Sequence, residues 1–171
     1  MYVFLIDVAI APSTVLETIP NLHKLWKLTV KVKPFGTVGS SSHIIHATIG
    51  NPYNFYGDRT PSLGMIPGTT QLQVCGPIFF PDFGNCGSVQ TLPMNEYSDI
   101  EVQQIPNEND SKFIFKYNGV KVWEYRPKYP ALFNNVKVYG SDPWFPSSKV
   151  FIKDYKFHSG TVLILSLSQR Q

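Results

Sequence analysis

The chain has 171 residues, 43% apolar and 14% aromatic, which suffices for one buried core and leaves little for a second domain. Only 16% are charged, the net charge is +3, and no run of Lys or Arg is long enough to follow a phosphate backbone, so nucleic acid is excluded as a natural partner. The 12 Gly and 14 Pro punctuate the sequence throughout, and this composition predicts an all-β, secreted module forming a single β-sandwich domain over residues 1–171.

In chain order, the apolar opening Tyr2-Val3-Phe4-Leu5-Ile6 is broken by Asp7 and has no basic flank. It reads as a first strand, not as a signal peptide or a membrane span. Ser13 to Leu22 predicts the one helix, with Ser13 or Thr14 as cap, Glu17 in the first turn and Pro20 as stop. Lys24 to Lys33 alternates: Trp26, Leu28, Val30 and Val32 face one way, and Lys27, Thr29, Lys31 and Lys33 the other. His43 to Ile49 predicts the next strand. Leu63 to Ile66 and Gln71 to Cys75 predict a hairpin that turns at Pro67-Gly68-Thr69.

Ser98 to Ile105 alternates again. Lys112 to Tyr117 and Val120 to Tyr125 flank Asn118-Gly119, a strong hairpin signal. Asn135 to Tyr139, Val150 to Phe157 and Thr161 to Ser168 complete the strands, the last placed to pair with the first. About a dozen strands in one chain of this length imply two packed antiparallel sheets.

Cys75 and Cys86 flank a loop with no other ligand for a metal. A disulfide there would constrain the unfolded chain by about 3 kcal/mol and suits an oxidising compartment; two buried thiols are the alternative. Within the loop, Pro77-Ile78-Phe79-Phe80-Pro81-Asp82-Phe83-Gly84 predicts an apolar knob over residues 77–84, the segment best suited to self-association. Asn109-Asp110-Ser111 is a glycosylation sequon in a turn, which makes Asn109 an accessible acceptor.

Four stretches resemble the laminin G-like and concanavalin A-like jelly-roll modules over roughly residues 1 to 160: Leu25 to Lys33, Ser42 to Ala47, Tyr97 to Val102 with Phe113 to Gly119, and Val150 to Phe157. More narrowly, Gly57-Asp58-Arg59-Thr60-Pro61 with Val136 to Trp144 resembles modules of secreted proteins of marine invertebrates. The cysteine pair departs from the laminin G pattern by lying in mid-chain. The resemblance implies a two-sheet jelly roll and, at its rim, a Ca²⁺ site whose matching positions are Asp58 and Asp142. Hard cations take such oxygen ligands, and an Arg59 bridge to the same aspartates is the competing expectation.

Some families on this sandwich are glycoside hydrolases, which need a pair of carboxylates about 5 to 5.5 Å apart for retention. Here Glu96 has the opposite parity from Asp99 and Glu101, and those two fall on the wet face. His43 and His46, three apart on one strand, are expected on opposite faces and so unable to share an ion. No nucleophile elbow or phosphate-binding loop occurs, and the chain is read as a non-enzyme.

The lysines on strand patterns would make a basic patch if they shared a face, but Asp99, Glu101 and Glu124 are interspersed, so a merely soluble outer face is favoured. Around the expected rim, Tyr53, Phe55, Tyr56, Trp144 and Phe145 offer stacking faces for sugars, with a plug over the end of the core as the favoured alternative role for Trp144. The expected function is a non-catalytic extracellular module that binds a glycan or an extracellular protein through Tyr53, Tyr56, Arg59 and Trp144. The alternative is a structural protein that self-associates into an extracellular matrix or filament.

Overall fold

A computed structural model describes residues 7–53, 55–77, 86–107, 110–126 and 132–160. Among the described residues twelve strands are arranged in two antiparallel sheets: β1 (Val8–Ala9), β2 (Val15–Leu22), β3 (Trp26–Pro34), β4 (Ser42–Thr48), β5 (Ser62–Met65), β6 (Gln71–Cys75), β7 (Cys86–Thr91), β8 (Ser98–Pro106), β9 (Ser111–Tyr117), β10 (Val120–Tyr125), β11 (Phe133–Tyr139) and β12 (Val150–Ser159). One sheet runs β1-β12-β3-β8-β9-β10 and the other β2-β11-β4-β5-β6-β7. The predicted first strand at 2–6 and last strand at 161–168 lie outside the described residues.

The core follows the period-two pattern. Along β3, Trp26, Leu28, Val30 and Val32 are buried while the lysines between them face outward. Trp26 sits 5.7 Å from Phe113 edge-on and 5.6 Å from Phe157, which ties β3, β9 and β12 together. From the facing sheet Ile45, Ala47, Leu63, Val74, Val136 and Val138 close the same cluster. The Tyr155 hydroxyl donates to Glu17 Oε1 at 2.6 Å, joining β12 of one sheet to β2 of the other.

Both predicted hairpins form. Asn118 and Gly119 take φ of 47° and 79°, the mirror-image turn that suits two twisted strands. Gly68 takes φ of 72° behind Pro67, and Thr69 N–H closes the turn on the Ile66 carbonyl.

The helix expected over Ser13 to Leu22 is instead strand β2, with Ser13 turned to a φ of 62° just before it. Leu16, Ile19 and Leu22 are its buried residues, a spacing of three that imitates a helix face. Pro20, the expected stop, is accommodated because β2 is an edge strand and needs no ladder donor there.

On the outer face of the first sheet the charges neutralise one another. Glu101 accepts from Lys27 at 2.6 Å and Lys116 at 2.8 Å, and Lys31 lies 3.3 Å from Asp154 and 3.9 Å from Asp99. Burial alone would raise the Glu101 carboxyl, but the bonds from Lys116 and Lys27 outweigh it and hold the group below its ordinary value. A depressed folded-state carboxyl stabilises above its unfolded pKa, and that contribution is lost as pH falls through the folded value. Glu101→Gln should therefore flatten the acid limb of a stability-versus-pH curve below about pH 4.3 while costing stability at neutral pH; urea titrations at several pH values that gave parallel curves for the two proteins would contradict this.

Candidate functional site

The site begins with a break in strand pairing. β4 and β5 pair His43 with Gly64 and then Ile45 with Leu63, so Ile44 is an extra residue in a β-bulge. Ile44 and Ile45 are both fully buried in the core. The bulge reverses the parity beyond it, so that His43 and His46 project from the same face. This corrects the expectation that residues three apart on this strand must diverge; the ring centroids are 5.0 Å apart.

That face is the outer side of the second sheet. Backbone register aligns Tyr139, His46, Ser62, Cys75 and Cys86 in one row across β11, β4, β5, β6 and β7. The row carries the disulfide expected from the sequence, Cys75–Cys86, as a cross-strand pair. Two loops close over it, residues 49–61 between β4 and β5 and residues 140–149 between β11 and β12.

The second loop is pinned along its length. Gly140 N–H bonds the Thr14 carbonyl at 2.8 Å, Ser141 N–H the Ile44 carbonyl at 3.1 Å, and Ser148 N–H the His43 carbonyl at 3.1 Å. Asp142 Oδ1 accepts from the backbone N–H of Trp144 and of Phe145, both at 2.9 Å, the local turn that Asp is suited to make. Its Oδ2 meets Nδ1 of His46 at 2.6 Å and Nδ1 of His43.

The first loop reaches the same ring from the other side. His46 Nε2 donates to the Asp58 backbone carbonyl at 2.5 Å. Asp58 Oδ2 accepts from Phe55 N–H at 2.6 Å, and its buried Oδ1 has no partner among the described residues. Gly57, at φ of 101°, has no room for a side chain: a Cβ there would stand 2.7 Å from the Phe133 ring. Asp58 and Asp142, expected as a calcium pair, thus lie at one ring nitrogen each of His46, with both aspartates fully buried.

Electrostatics follow from the burial. Burial would raise the Asp142 carboxyl, but the bonds from His43 and His46 prevail and hold it well below the ordinary carboxylate range. Burial pushes the His43 ring down, against the pull of Asp142, whose carboxylate its Nδ1 faces.

Arg59 does not bridge the aspartates. Its Nη1 points at Sγ of Cys86, 3.1 Å away, and of Cys75, 3.7 Å away, and the guanidinium lies 5.4 Å from the centre of the Tyr53 ring. Burial lowers its pKa, and among the described residues no carboxylate forms an ion pair with it. On the two loops, Tyr53 is 43% exposed, Phe55 61% and Trp144 39%, while Tyr56 turns inward onto Phe133 at 5.1 Å. Trp144 lies against His46 and Tyr139, and Phe145 against His43 and Tyr53. Of the remaining expectations, Asn109 lies outside the described residues, as do residues 78–84 of the apolar loop. Asp99 and Glu101 sit far along the other sheet among lysines.

The two histidines are the part that the sequence reading missed. The signal was present in His43-Ile44-Ile45-His46: both isoleucines can enter the core only if the strand bulges, and a bulge brings the histidines together. Removing the carboxylate that both rings share leaves buried polar groups uncompensated, so Asp142→Ala should lower unfolding free energy by about 3 kcal/mol or more. A loss under about 0.5 kcal/mol in urea unfolding, the range of an ordinary surface change, would contradict that role.

No protein-family model matches the sequence, and no curated protein matches it. Solved structures do match its fold. The heptameric SAP-like pentraxin of Limulus polyphemus aligns with a TM-score of 0.59 at 12% identity, covering 92% of this chain and 79% of that one. Domain 4 of AbnA, an extracellular arabinanase of Geobacillus stearothermophilus solved with arabinotriose, aligns at 0.51 and 16% identity over 85% of this chain and 69% of that one. A mutant Trypanosoma rangeli sialidase with trans-sialidase activity aligns at 0.52 and 8% identity, and this chain spans only 20% of its length. The chain has a two-sheet antiparallel jelly-roll fold of the concanavalin A-like type, the fold its sequence predicted.

Proposed function

We propose that this protein is an extracellular carbohydrate-binding module whose ligand stacks on the rim at Tyr53 and Trp144 and bonds to Arg59. The observation that carries the reading is a half-buried guanidinium without a carboxylate partner among the described residues, set against the exposed Tyr53 ring, with Trp144 exposed on the second of the two loops fixed from below. Sugar rings stack on such faces, and the planar donors of arginine suit hydroxyl or carboxylate oxygens. An acidic sugar fits best, because its charge would repay the burial of Arg59. The arabinotriose-bound domain supports this use of the fold by analogy.

The disulfide supports an oxidising, extracellular setting. Among the described residues no helix is long and apolar enough to cross a membrane. Assembly is the second reading, favoured by one observation: edge strand β10 exposes Val120 and Val122. Light scattering separates the two, since assembly without glycan binding would favour it.

On a glycan array, the wild-type protein should retain sugars bearing carboxylate or sulfate groups. Tyr53→Ala should weaken that binding about tenfold or more, within the range of one lost stacking contact, with its melting temperature nearly unchanged. An array without retained sugars, or a Tyr53→Ala protein that binds as tightly as wild type, would remove the reading.

A further inference from the structure

We propose that His43, His46 and Asp142 form a binding site for a first-row divalent transition metal ion of the zinc type, held by Nδ1 of each histidine and Oδ2 of the aspartate. These three donor atoms lie within 4.8 Å of one another beneath Trp144 and Phe145. The proposal stands apart from glycan recognition and does not depend on it.

The argument rests on what the far side of each ligand does. His46 Nε2 bonds the Asp58 carbonyl, so that nitrogen carries the ring hydrogen and Nδ1 is the atom left facing Asp142. The 2.6 Å contact between Nδ1 and Asp142 Oδ2 then needs a positive species between the two atoms, either a second ring proton or a metal ion that takes its place. A metal ion fills that role, and an imidazole that donates its other N–H to a backbone carbonyl is the usual supported ligand. Asp142 is supported likewise, its Oδ1 held by the amides of Trp144 and Phe145 while Oδ2 stays on the histidine side. His43 completes the set, with its ring braced by Phe145 at 4.5 Å and its side chain 14% exposed, which gives the ion a way in.

Metal–nitrogen and metal–oxygen bonds of about 2.0–2.2 Å set neighbouring donors roughly 3.3 Å apart. The 2.6 Å between His46 Nδ1 and Asp142 Oδ2 would therefore open by less than about 1 Å on loading. Two imidazoles and one carboxylate select zinc-like ions over calcium, which takes six to eight oxygens. Three protein ligands leave the fourth position to a molecule from solution.

The test uses the whole protein, stripped with EDTA and dialysed, then titrated with Zn²⁺ or Ca²⁺ by calorimetry and by thermal unfolding. One Zn²⁺ per chain should bind and raise the melting temperature by several degrees at saturation, because the ion binds the native state alone. Co²⁺ should give the intense visible absorption of a four-coordinate site on the unmutated protein, a readout that needs no variant. His43→Ala, at a partly exposed position, should weaken Zn²⁺ binding at least tenfold, whereas His158→Ala should bind as wild type. Stabilisation by Ca²⁺ but not Zn²⁺, an absence of Zn²⁺ binding, or an undiminished affinity in His43→Ala would each overturn the site.

Discussion

The rim depends on one imidazole. His46 is wholly buried on the outer face of a sheet, and its two ring nitrogens reach two different loops, the Asp58 carbonyl on one side and the Asp142 carboxylate on the other. Burying such a ring is favourable only when both nitrogens are satisfied. The folding of the two loops is thereby coupled to a single strand residue, and the aromatic side chains that those loops carry inherit the rigidity of the sheet.

That arrangement needs the bulge at Ile44. Without the extra residue His43 and His46 would lie on opposite faces, and one of them would displace an isoleucine from the core. Bulges re-aim side chains at sites next to binding surfaces, and here the gain is a second imidazole against Asp142 and a strand bent toward the loop at 140–149. The disulfide extends the same row to β6 and β7, where its sulfurs position Arg59 under Tyr53. Strand, bulge, carboxylate and disulfide together place at the rim a half-buried guanidinium without a carboxylate partner among the described residues.

How much of this was legible in the sequence varies with burial. β3 could be read residue by residue because one face is wet, and Asn118-Gly119 announced its turn because few other residues accept those backbone angles. β2 misled because a twisted edge strand that buries Leu16, Ile19 and Leu22 shares its spacing with a helix. β4 misled more seriously: covered on both faces, it offers no alternation from which parity could be checked. The rim aspartates were identified, but their partners were not, since a hydrogen bond between residues 46 and 142 leaves no local pattern.

The central claim is that His46 and Asp142 couple the two loops, and amide hydrogen exchange in Asp142→Asn tests it most directly. The account predicts faster exchange, in step, for Trp144 and Phe145 in one loop and for Phe55 and Asp58 in the other, while Leu28 and Val102 in the opposite sheet keep their protection. Faster exchange confined to Trp144 and Phe145, with the loop at 49–61 unchanged, would contradict it.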